Sequence, residues 1–168
     1  LYVADSRHNR IQRLLPESSA PRNRAVIIAS GGDIPDNRLW PATQMLANLA
    51  YRTLEHQGFT SEDIQYLSAD VSLDLDSNGA AGDILPLTGA QMQSSLTEWA
   101  TEAENVLVYM TGLGRRDVFT LNQTEELRDT EMNEYLNTLQ SEIGGELLVV
   151  YDASQSGSFI DNIGVNDQ

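Results

Sequence analysis

Short uninterrupted apolar runs alternate along the chain with longer stretches of helical period. Residues 25–30 (AVIIAS) form a run closed by Gly31 and Gly32, which predicts a strand buried on both faces. Pro41 then opens a helix that reaches residue 57, with Met45, Leu46, Leu49, Ala50 and Leu54 as its expected inner face and Gly58 as its stop. A second strand is expected over residues 64–68, a second helix over 88–101 and a third strand over 105–112. Residues 118–121, after the turn at Arg115 and Arg116, suit an edge hairpin. Asp129 or Thr130 caps a third helix carrying Met132, Tyr135, Leu136 and Leu139, stopped by Gly144 and Gly145, and residues 146–152 (ELLVVYD) read as a fourth buried strand. Strands alternating with helices predict an α/β fold with a mainly parallel sheet and helices on both faces.

The start of the chain follows a different pattern. Residues 1–14 read as strand, turn at 6–9 and strand, and the Pro- and Ser-rich stretch that follows (LLPESSAPRN) reads as a linker. Tyr2, Val3, Ala4, Asp5, Asn9, Arg10, Ile11 and Gln12 resemble half of an NHL propeller repeat. Half a blade cannot bury its own faces. The division expected is therefore residues 1–23 as a repeat remnant with linker and residues 24–168 as the domain, with a propeller preceding it in the natural protein.

Composition narrows the partners. The 168 residues carry 25 acids against 10 basic residues, a formal charge of -15, which repels nucleic acid and anionic membrane surfaces. No apolar run approaches the ~18 residues of a membrane span. The absence of cysteine removes disulfides, thiolate metal sites and a thiol nucleophile together.

In a parallel sheet the carboxyl ends of the strands gather the chemistry. Three loops meet there: SGGDIPDN after the first strand, TGLGRRD after the third and DASQSGSF after the fourth. The first of these, with Leu39, Trp40 and Ala42, the helix segments Ala50 to Leu54 and Gln57 to Phe59, and above all YDASQSGSF, resemble bacterial legumain-like cysteine peptidases over about residues 24–160. The resemblance implies a three-layer caspase-like fold, a cleft lined by Gly31, Gly32, Asp152 and Gln155, and two further strands beyond the nucleophile loop. In that family the third strand ends in His-Gly and the fourth in DACQSG. Here Leu113 stands where the base is expected and Ser154 where the nucleophile is expected, while Gly114 is kept.

A serine hydroxyl without a positioned base is a poor nucleophile, and leucine accepts no proton. The only histidines, His8 and His56, lie in the opening segment and near a helix end, and both are expected at the surface. The expected function is a catalytically inactive legumain-like homologue that binds or scaffolds a peptide or protein ligand. An alternative is a cysteine endopeptidase whose nucleophile was replaced by Ser154, and a further one is an anion- or ligand-binding α/β module using the SQSGS loop. The propeller-like start favours an exported bacterial protein, periplasmic or extracellular.

One motif invites a metal. Asp74, Asp76, Asn78 and Gly79 follow the first half of a calcium loop, with Asp83 arriving early in place of the closing glutamate. A solvated turn rich in Asp and Asn fits the same residues. No cofactor is otherwise required. GLGRRD lacks the third glycine and the following helix of a dinucleotide fingerprint, and the Arg115 and Arg116 pair reads as a solvated turn beside the cleft.

Overall fold

The computed structural model describes residues 2–5, 10–13, 22–34, 37–75, 79, 82–160 and 162–163. Its strands are β1 (Tyr2–Asp5), β2 (Arg10–Arg13), β3 (Asn23–Ala29), β4 (Ile64–Ser68), β5 (Ile84–Pro86), β6 (Asn105–Gly112), β7 (Gly114–Arg115), β8 (Val118–Thr120), β9 (Glu126–Arg128) and β10 (Leu147–Ala153). The helices are α1 (Trp40–His56), α2 (Gly89–Ser94) and α3 (Asp129–Glu142). Five strands form one parallel sheet in the order β10-β6-β3-β4-β5, so the chain builds outward from β3 in one direction and then crosses back to β6 and β10. The expected parallel α/β architecture holds. β5 adds a strand that the apolar pattern did not mark, because three residues ending in proline carry no period.

Alternation along β3 divides the core between the two faces. Ala25, Ile27 and Ala29 pack with α1 through Ala47, Tyr51 and Leu54. Val26 and Ile28 pack with Met92, Leu96, Met132, Leu136 and Leu139 on the other side. Helices therefore cover both faces, as parallel sheets require.

Two expectations need correction. The inner face of α1 is Trp40, Thr43, Ala47, Tyr51 and Leu54, and of the five expected residues Met45 and Leu49 point to solvent. Small Thr43 and Ala47 let the helix approach the sheet, and Tyr51 meets Tyr66 at 6.4 Å between ring centroids. The segment 146–152 is not a buried interior strand: β10 begins at Leu147, lies at the edge of the sheet, and exposes alternate residues. The stretch 118–121 contributes β8, which pairs antiparallel with β7 across the turn at Arg116 and Asp117 as the expected hairpin, and β9 adds a third strand to it.

The second helix starts where Thr88 accepts a hydrogen bond from the Gln91 amide at 3.1 Å. Past Ser94 it widens into a π turn at Ser95–Trp99 and tightens again at Ala100–Glu102. The buried Arg24 of β3 meets this end: its guanidinium lies 4.4 Å from the Trp99 ring centroid, donates to the Trp99 carbonyl and pairs with Glu102 at 2.7 Å. The opening strands β1 and β2 pair with each other antiparallel, outside the main sheet. The turn expected at 6–9 lies outside the described residues. No helix among the described residues is long and apolar enough to cross a membrane.

Candidate functional site

β3, β6 and β10 run parallel in register and end at one level, Ala29 beside Thr111 and Gly112 beside Ala153. Ser30, directly past β3, is buried; its amide donates to the Thr111 carbonyl at 3.0 Å and its hydroxyl accepts from the Leu113 amide at 3.2 Å. These two bonds fix Leu113 against the first glycine turn. Gly31 and Gly32 have φ of +91° and +70°, a region costly to residues with a side chain. A Cβ on Gly31 would stand 3.0 Å from Cγ and Cδ1 of Leu113, and one on Gly32 would stand 2.8 Å from the Ala69 Cβ. Asn37, buried, closes the turn by donating to the Gly32 carbonyl at 2.8 Å.

Leu113, Gly114 and Ser154 are thus brought near one another at the strand tips, whereas Asp152 and Gln155 do not line the cavity that opens beside Gly31 and Gly32. A Cβ on Gly114 would lie 2.5 Å from the Ser154 carbonyl oxygen and 3.1 Å from the Ala153 Cβ, so only glycine admits this approach. Ser154 is exposed and directly follows β10, its carbonyl close to Gly114. Gln155, also exposed, takes a left-handed φ of +59°, as does Asp117 across the loop. Ser158 ties the two: its hydroxyl donates to the Gln155 carbonyl at 2.9 Å and accepts from the Asp117 amide at 2.8 Å. Asp152 is exposed on the face of β10 shared with Tyr109, and Arg115 is engaged by Glu126 at 2.6 Å.

Among the described residues no histidine reaches this cluster. His56 is the last residue of α1, whose first residue Trp40 sits at the strand-tip end, and a 17-residue helix spans about 25 Å. His8 lies outside the described residues. The nearest aromatic hydroxyl, Tyr151, is held protonated: burial between Phe119 and Phe159 raises its pKa, and among the described residues its buried oxygen has no hydrogen-bond partner.

On the other side of Gly31 the tips of β3, β4 and β5 open into a cleft of about 750 Å³. Its walls include Gly31, Gly32, Trp40, Asp70 and Pro86, with Asn122 to Thr124 as a rim. Asp70 accepts from the hydroxyl and amide of Ser72 and from Gln44, which together hold its carboxyl below the ordinary carboxylate range. Asn122 binds the Leu87 carbonyl at 3.0 Å and accepts from the amides of Thr124 and Glu125, locking the rim onto the end of β5. The sequence reading missed Ser30, Asn37, Asp70 and this rim, since single polar residues in unrelated loops carry no shared pattern.

Of the calcium candidates, Asp76 and Asn78 lie outside the described residues. Asp74 accepts from the Gly79 amide at 2.8 Å and Asp83 from the Leu75 amide at 2.7 Å, the bonding of a turn closed by its own side chains. Among the described residues no three acidic or histidine side chains are grouped to hold a metal. The chain matches no model of a known protein family, and no curated protein matches it significantly.

Proposed function

We propose that the chain is a catalytically inactive relative of legumain-type cysteine peptidases, kept as a binding or scaffolding domain that receives a peptide or protein ligand at the strand tips. The observation that supports this reading is the packing of Leu113 on Gly31 beside an exposed Ser154, with no imidazole near it among the described residues. Proton removal from a serine hydroxyl at neutral pH needs such a base. Without one the cleft retains walls for binding and lacks the means of acyl transfer. An exported bacterial protein carrying a propeller ahead of this domain is the setting the opening repeat-like residues favour.

Restoring the thiol tests the reading. Ser154→Cys alone should titrate near the ordinary cysteine value, about 8.5, because no imidazolium stabilises the thiolate. Adding Leu113→His should lower that value and speed alkylation below pH 8. An already depressed thiol pKa in the single variant would mean that another group activates this position and would sink the proposal.

A further inference from the structure

Two neighbouring strand tips each deliver an acid into one cavity. The glycine turn after β3 presses Gly32 onto the loop after β4, where a Cβ would stand 2.8 Å from the Ala69 Cβ. The next residue of each loop, Asp33 and Asp70, therefore lines the same cleft of about 750 Å³. That space falls within the roughly 300–1,000 Å³ of sites that enclose a small molecule or a side chain with its flanks. Trp40 and Pro86 give it apolar walls, and the rim from Asn122 to Thr124 adds amide and hydroxyl groups. It opens at the tips of β3, β4 and β5, on the side of the sheet away from β10.

The charge of this cavity is one-sided. Among the described residues no arginine, lysine or histidine lines it, and Arg38, two residues before Trp40, is not part of its wall. Asp70 is held by neutral donors only: the Ser72 hydroxyl at 2.6 Å, the Ser72 amide at 3.0 Å and the Gln44 side chain at 3.0 Å. These bonds orient the carboxylate without cancelling its charge, and a carboxylate has about four acceptor positions, so one is left for a ligand. A cation entering the cleft meets an anion already in place, which lowers the ordering cost of binding. An acidic side chain would be repelled by both aspartates. A long basic side chain matches both features, with an apolar stem for the Trp40 and Pro86 walls and a charged head for the acids.

We propose that this cavity takes an arginine or lysine side chain of a bound peptide, with Asp33 and Asp70 receiving its cationic head. The inference rests on the reading of the strand tips as a peptide-binding site and adds the residue class that the cleft selects.

The probe is a capped pentapeptide of glycine and alanine with a central arginine and an uncharged dye, titrated by anisotropy against the whole chain. Saturable binding is expected, retained with lysine and at least about tenfold weaker with citrulline, asparagine or glutamate at the centre. Asp33→Asn and Asp70→Asn should each weaken binding of the arginine peptide several-fold, with circular dichroism verifying the fold. Asp33 is exposed, so its variant stays informative even where Asp70→Asn disturbs the loop. Glu55→Gln with Glu142→Gln, two exposed acids outside the cavity, should leave binding unchanged. Equal weakening by that pair would overturn the inference, because general charge would then be the attraction. Citrulline or asparagine peptides binding as tightly as arginine would overturn the preference for a cation and leave peptide binding standing. Agmatine competing as strongly as the arginine peptide would make the occupant a free amine and overturn the peptide ligand. Failure of every peptide to bind would overturn this inference and the peptide-binding reading together.

Discussion

β3 and β10 are written in nearly the same language, AVIIA and LLVVY, yet they occupy opposite situations. Every residue from Ala25 to Ala29 is fully buried between two other strands and two helix layers. In β10 no described strand pairs with the outer edge and alternate residues reach solvent, because α1 lies over β3 and β6 and stops short of it. An apolar run thus identifies a strand and not its place in the sheet. Place depends on which neighbours arrive, and those are set by distant segments.

The contrast predicts unequal costs. Ile28→Ala should destabilise by about 2–5 kcal/mol, since a fully buried site loses both transfer energy and packing. Val150→Ala should cost under about 1 kcal/mol, because 40% of the residue is already in water. Urea unfolding of both variants checks this, and equal costs would mean that something covers β10 in solution.

A smaller effect is expected at the tips of the inner strands. Hydrogen bonds depress the folded pKa of Asp70 below the ordinary 3.8, so the stability it adds is present above that value and is lost as pH falls through the folded one. Thermal unfolding should therefore show an acid limb below about pH 4 that Asp70→Asn flattens, with Tm at pH 7 lowered by no more than about 2 °C for a half-buried group still reached by solvent. An unchanged limb in Asp70→Asn would remove this carboxylate from the account.

The smallest effect concerns the acidic loop. We propose that Asp74, Asp76, Asn78 and Asp83 bind calcium weakly, which should raise Tm by about 1–2 °C in excess calcium over chelator through mass action. No shift would leave the loop as a turn closed by its own carboxylates.

The strand and helix pattern was legible wherever an element was long enough to show a period, which is why β3, β4, β6 and α3 stand where the sequence put them. The inner face of α1 was not legible, because close packing chose Thr43, Ala47 and Tyr51 over the larger Met45 and Leu49. Ser154, Leu113 and Gly114 were legible as a group, since parallel strands ending at one level carry their following loops together. The glycine turn's dependence on Asn37, and the rim built by Asn122, arise from contacts between segments far apart in sequence and left no local trace.

The central claim is that the strand tips bind without cleaving. The direct measurement is hydrolysis of asparaginyl and aspartyl peptide substrates by the unaltered chain, with Ser154→Ala as control. We predict no turnover above the control at any pH from 5 to 9. Turnover that Ser154→Ala abolishes would contradict the account, making Ser154 a working nucleophile with a base to serve it.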